Sequence, residues 1–221
     1  GIIDAAGIDS ILIGDSASNV MAGNADTLPI TVDQMIYHAR SVARAVNHAM
    51  VVCDMPFGSY QISREEALRN ACRMMKETGV DALKLEGGVE IIDTVKALID
   101  AGIPVHGHLG LTPQSVNKFG GYGIRAKEEA EAEKLIQDAI ALDKAGCFAI
   151  VLEKVPAKLA AEVTRQVKAV TIGIGAGNGC DGQVLVYADA LGMTQGFKPK
   201  FLRHFAQVCA EMTKGVEAYV E

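Results

Sequence analysis

Seven short apolar runs punctuate the chain: residues 11–14 (ILIG), 50–52 (MVV), 82–85 (ALKL), 103–107 (IPVHG), 148–152 (FAIVL), 170–175 (VTIGIG) and 184–188 (VLVYA). Their shortness and β-branched content predict buried strands. Between them, apolar residues recur at helical spacing. SREEALRNACRMMKETG (63–79) opens on Ser63, a candidate cap with Glu66 three residues on. EIIDTVKALIDAG (90–102) and EEAEAEKLIQDAIALDKAG (128–146) each end on a glycine suited to a left-handed helix end. Strand–helix alternation of this kind predicts an α/β fold with a parallel sheet and helices outside it.

No linker, low-complexity stretch or charge block interrupts residues 1–221, so one domain is expected. A closed (β/α)8 TIM barrel needs eight strand–helix units, and about seven are visible. The opening GIIDAAGIDS reads as the tail of a helix. The first strand is therefore expected upstream of Gly1, and the native protein is expected to be longer. The competing architecture is an open doubly wound sheet.

Composition narrows the function classes. Of 221 residues, 49% are hydrophobic and 22% charged, which suits a folded globule, and the net charge is −6. That balance provides no basic footprint for nucleic acid and disfavours anionic membranes. The five cysteines, at 53, 72, 147, 180 and 209, form no C-x-x-C pair. Neither a disulfide framework nor a structural zinc site is expected. With no leader-like start and no long apolar run, a cytoplasmic protein is expected.

The chemistry gathers where the apolar runs end. Asp15, Asp54, Glu86, His108 and Glu153 each follow or close one of them. Any one of these could simply cap the next helix. In a parallel barrel, however, all strands finish on one rim, so five such ends predict a shared site. Lys84 and Glu86, two apart, share a strand face, as do His106 and His108. Of the two histidines, His108 reads as supporting the site and His106 as structural. Asp15, Asp54 and Glu86 offer only oxygen ligands, which suits Mg2+ better than zinc. Such an ion could chelate a 2-oxo acid and stabilise its enolate. GIGAGNGCDGQ (173–183) could cradle phosphate, or merely permit close backbone approach. GHLGLTPQSVNKFGGYG (107–123) is long enough to form a lid.

On these residues the chain resembles the ketopantoate hydroxymethyltransferase family. The matching stretches are LIGDS (12–16), DTLPITVDQMIYH (26–38), DMPFGSY (54–60), KLEGG (84–88), GHLGLTPQSVNKFGGY (107–122), IVLEKVP (150–156), GIGAGNGCDGQ (173–183) and FKPKF (197–201), in family order. The resemblance implies a (β/α)8 barrel of the phosphoenolpyruvate/pyruvate superfamily type. It implies transfer of a one-carbon unit from the co-substrate 5,10-methylenetetrahydrofolate to 2-oxoisovalerate, in pantothenate synthesis. By resemblance, Asp15 and Asp54 bind Mg2+, with Glu86 as the third metal-site acid acting through a water. Asp15, Ser16, Asp54 and Lys84 hold the oxo acid, Glu153 is the proton acceptor, and His108 lies near the substrates. Homo-oligomers, decamers among them, are a further implication.

The chain departs from the family's common pattern at Ala17, Ser18 and Asn19, and again at residues 123–126. Both changes bear on folate-side contacts and loop geometry. Three other readings compete: a magnesium-dependent lyase or aldolase acting on an oxo acid, a non-catalytic barrel used for binding or assembly, and a phosphate-ligand binder.

Overall fold

A computed structural model describes residues 1–194, 196 and 199–221. Its elements run α1 (Ile2–Ala5), β1 (Ser10–Ile13), α2 (Ala17–Val20), α3 (Val32–Ala43), β2 (Met50–Asp54), α4 (Arg64–Thr78), β3 (Ala82–Glu86), α5 (Ile92–Asp100), β4 (Val105–Gly110), α6 (Val116–Phe119), α7 (Glu129–Ala145), β5 (Ala149–Glu153), α8 (Ala157–Gln166), β6 (Val170–Ile174), β7 (Gly182–Gln183), α9 (Tyr187–Ala190) and α10 (Val208–Val220). The chain divides into two compact units, Gly1–Gly182 and Gln183–Glu221. Among the described residues no helix is long and apolar enough to cross a membrane. Part of FKPKF lies outside the described residues.

In the first unit, β1 to β6 pair in parallel with their sequence neighbours. This strand order, β1-β2-β3-β4-β5-β6-β7, is that of a (β/α)8-type barrel, as the alternation predicts. It excludes the doubly wound alternative, whose strand order reverses at a switch point.

The strands alternate strictly. Cys53, Leu83, Leu85, Val105, Leu109, Ile150 and Leu152 join the apolar core beneath the helices. Residues between them face the other way: Asp54 on β2, Lys84 and Glu86 on β3, His106 and His108 on β4. Helix α4 shows why the outer layer forms. Ala67, Ala71, Met74 and Thr78 recur at helical spacing and are its buried residues. The Ser63 side chain caps it by accepting from the Glu66 N–H at 3.1 Å. Gly79, at φ 77°, ends it in the left-handed conformation that a Cβ would penalise.

One predicted strand is absent. Residues 184–188 contain no strand: β7 is confined to Gly182–Gln183, and Tyr187 and Ala188 open α9. A short apolar run without flanking context does not distinguish a strand from the start of a helix.

Candidate active site

The last residues of β2, β3 and β5 are Asp54, Glu86 and Glu153, and Asp15 lies two residues past β1. Parallel pairing sets them on one rim, with Asp54 opposite Lys84 and Glu86 opposite His108 in register. His108 lies within β4, which runs on to Gly110, rather than after it. Gly110 is paired with Glu153 and has a φ of 89°. A Cβ there would stand 2.3 Å from the Glu153 carbonyl oxygen, so only glycine lets the strands approach this closely beside the site.

The side chains form one connected network. Asp54 Oδ2 accepts the Asp15 backbone N–H at 3.0 Å. Asp54 Oδ1 lies 2.9 Å from Lys84 Nζ. The same ammonium reaches His108 Nδ1 at 3.1 Å. His108 then spans two carboxylates, with Nδ1 3.4 Å from Glu86 Oε1 and Nε2 3.2 Å from Glu153 Oε2. Ser16 is half-buried, and its hydroxyl lies 2.9 Å from where a Cβ on Gly14 would stand. All the residues predicted to act together therefore lie in or beside one cluster.

Two members carry no periodic signal in the sequence. Gln114, in the loop after β4, donates from Nε2 to Asp15 Oδ2 at 2.9 Å and to the Met55 carbonyl at 2.9 Å. Its backbone N–H donates to Glu86 Oε2 at 2.9 Å. Tyr60 accepts the Glu86 N–H at 3.0 Å on its hydroxyl, which lies 2.8 Å from Gln114 Oε1. A polar residue in a proline-led loop after a strand, as in LTPQS, is the only hint the sequence offers.

Electrostatics follow from crowding four acids around two bases. Burial first, then Asp54 and Glu86, push Asp15 up to about 8, against Lys84 and Gln114. Burial also raises Asp54, with Lys84 opposing. Burial would raise Glu86 as well, yet His108, Lys84 and the Gln114 N–H hold it below its ordinary value. Burial opposes charge on Lys84, but Asp54, Glu86 and Asp15 keep the ammonium firmly protonated. Burial and Lys84 also disfavour a proton on His108, while Glu153 and Glu86 outweigh them and push it up to about 9. A proton on Nδ1 faces Glu86 at the expense of a bond from Lys84, and two carboxylates win over one ammonium. His106 is pushed down to about 3 by burial and Lys84, and neither ring nitrogen has a hydrogen-bond partner. It is a neutral interior residue, tilted against Phe148 at 5.5 Å between ring centroids.

Among the described residues, no three His, Cys, Asp or Glu side chains form a ready metal cage. The glycine-rich 173–183 stretch packs tightly instead. A Cβ on Gly177 would meet the Ala157 Cβ at 2.4 Å, and one on Gly179 would meet the Ala161 Cβ at 2.7 Å. Those glycines serve close approach to α8.

A family model described as Ketopantoate hydroxymethyltransferase matches residues 1–221. A relative from Parabacteroides distasonis named 3-methyl-2-oxobutanoate hydroxymethyltransferase is 61% identical over 220 residues, covering 100% of this chain and 81% of its own. One of the same name from Bacteroides thetaiotaomicron is 64% identical over 219 residues, covering 99% and 80%. Among solved structures, a putative lyase/mutase from Burkholderia cenocepacia J2315 aligns with a TM-score of 0.60 at 14% identity, over 99% of this chain and 75% of that one. A 2,3-dimethylmalate lyase, a PEP mutase/isocitrate lyase superfamily member, aligns with a TM-score of 0.55 at 15% identity, over 99% and 74%. Likeness at that identity speaks for the barrel fold alone.

Proposed function

The chain belongs to the ketopantoate hydroxymethyltransferase family, and from that premise we propose that it transfers a one-carbon unit from 5,10-methylenetetrahydrofolate to 2-oxoisovalerate on the rim described above, with Mg2+, in pantothenate synthesis. The observation that carries the reading is the single network joining Asp15, Asp54, Lys84, Glu86, His108 and Glu153.

The residues fit a hard divalent cation. Asp15 and Asp54 present oxygen donors beside Glu86, and the Asp15 carboxyl is pushed up to about 8 first by burial and then by the charges of Asp54 and Glu86, a crowding of acids that a cation would relieve. Few protein ligands are on offer, so water and substrate oxygens would complete the shell of a bound Mg2+, as that ion prefers. When bound, the cation supplies Lewis acidity toward the oxo acid.

Everything else is the work of the chain's own groups. Lys84, fixed by Asp54 and charged throughout the neutral range, places an ammonium where negative charge develops on the substrate oxygens. Ser16 adds a hydroxyl at the same edge. Glu153, with its side chain 18% exposed, is open enough to meet the substrate C3–H and takes that proton as base. His108 holds Glu153 from behind with Nε2 and ties its position to that of Glu86. The carbanion left at C3 then attacks the methylene carbon of the folate donor, whose two carbon–nitrogen bonds break as water supplies the product hydroxyl and tetrahydrofolate leaves.

The same proposal extends to a homo-oligomer, with the exposed Met212, Val216 and Tyr219 of α10 as its candidate contact; sedimentation analysis of the purified chain tests it. Incubation with 2-oxoisovalerate, 5,10-methylenetetrahydrofolate and Mg2+ tests the reaction. Ketopantoate should form and should cease to form when a chelator is added. Absence of product from the intact, folded protein would overturn the proposal.

A further inference from the structure

The segment 111–125, between β4 and α7, is fastened at both ends to two consecutive residues. Leu111 N–H donates to the Glu153 carbonyl at 2.8 Å, and Arg125 N–H donates to the Lys154 carbonyl at 2.8 Å. Lys154 fastens it a third time, since its Nζ donates to the Tyr122 carbonyl. Lys154 also donates its own N–H to the Ile174 carbonyl at 2.8 Å, which ties this point to the end of β6. The Arg125 guanidinium lies 4.0 Å over the Phe119 ring, bracing the segment from within, and pairs with Glu131 of α7.

Lys154 reaches these partners at a cost. Its φ is 47°, one of only two positive values among the described non-glycine residues. A lysine that merely decorated a surface turn would gain by becoming glycine there, because an L side chain disfavours that conformation. The neighbouring chain position is Glu153, the proposed base. Tyr122 is 45% exposed, and besides its partial burial the carboxylates of Asp26, Asp15 and Glu153 all act on its phenol. The latched segment thus borders the mouth of the acid cluster.

We propose that Lys154 is a positioning residue whose side chain latches segment 111–125 beside the mouth of the site, holding Tyr122 in place against the bound oxo acid. The inference rests on reading this rim as the oxo-acid site. Lys154 touches no reacting atom; it acts through the segment it holds. Because Lys154 follows Glu153 in the chain, the latch and the proposed base share one stretch of backbone.

Three full-length variants test it. Lys154→Gly removes the latch while accommodating φ 47° without a Cβ, so the fold is kept. Loss of one charged hydrogen bond should raise KM for 2-oxoisovalerate about tenfold, with kcat within about twofold of the parent. Trypsin should cut after the exposed Lys118 severalfold faster. Lys154→Arg should restore both readouts, since it supplies a donor of similar reach. Unchanged KM and unchanged cleavage in Lys154→Gly would overturn the latch, as would failure of Lys154→Arg to recover either. Glu153→Gln keeps both carbonyl anchors, so it should lose turnover while resisting trypsin like the parent. Retained turnover in Glu153→Gln would overturn the base assignment alone, leaving the latch to be judged by oxo-acid binding and proteolysis of the Lys154 variants.

Discussion

The Lys84 ammonium lies 2.9 Å from Asp54 Oδ1, with 4% and 5% of the two side chains exposed. A pair buried this deeply is expensive to break on one side, because the surviving charge has no solvent to turn to. Lys84→Met is expected to lower unfolding free energy by about 3–5 kcal/mol in urea titration. Asp54, already raised by burial, can escape in part by taking up a proton, so the loss should be larger at alkaline than at mildly acidic pH. Lys84→Met combined with Asp54→Leu should regain most of the stability and none of the activity. A Lys84→Met protein as stable as the parent would contradict the pairing.

Asp15 provides a pH signature. Its carboxyl is raised from 3.8 to about 8, first by burial and then by Asp54 and Glu86. Between those values the folded state holds a proton that the unfolded chain releases. Asp15 therefore favours folding at low pH, and its contribution falls as pH rises through that window. A cation must displace the proton. Mg2+ binding at neutral pH should release protons, its affinity should climb from pH 6 to 8, and Asp15→Asn should abolish the dependence. Calorimetry in buffers of different ionisation enthalpy measures this, and a pH-independent affinity would count against the site.

Gln114 links Asp15, Met55, Tyr60 and Glu86 through its amide and backbone. Gln114→Leu leaves the Met55 carbonyl and Asp15 Oδ2 short of a partner in a buried place, while the Tyr60 hydroxyl keeps the Glu86 carbonyl and N–H. Each such group costs about 1–3 kcal/mol. Denaturant titration should therefore show a loss of several kcal/mol, with weaker Mg2+ binding because Asp15 is no longer oriented. Full stability would show that water replaces the amide.

Glu153 is expected to be needed for proton removal and for nothing upstream of it. Glu153→Gln should stop exchange of the substrate C3 hydrogen with deuterated water, as followed by NMR, while binding of 2-oxoisovalerate persists within about tenfold. Exchange at the parental rate would assign the base elsewhere.

The barrel and its acids were legible because both follow from period-two and helical spacing. Leu83 and Leu85 belong to the outer core, so Lys84 and Glu86 had to face the other way. Asp54, Glu86 and Glu153 close their strands, and that position alone places them on the rim. Gln114, Tyr60 and Lys154 were not legible. They act from loops, where no periodicity assigns a face, and Lys154 depends on a backbone conformation that a lysine seldom adopts. Residues 184–188 misled for the opposite reason. Their pattern is apolar, yet Val186 caps α9 and does not extend β7.

The account turns on whether Asp15 and Asp54 grip one divalent ion. Crystals grown with Mn2+ in place of Mg2+ and measured at the manganese absorption edge answer this directly. One anomalous peak is predicted at roughly 2 Å from carboxylate oxygens of both Asp15 and Asp54, with Glu86 in reach through a water. A peak at any other place, or none between these two aspartates at saturating Mn2+, would contradict it.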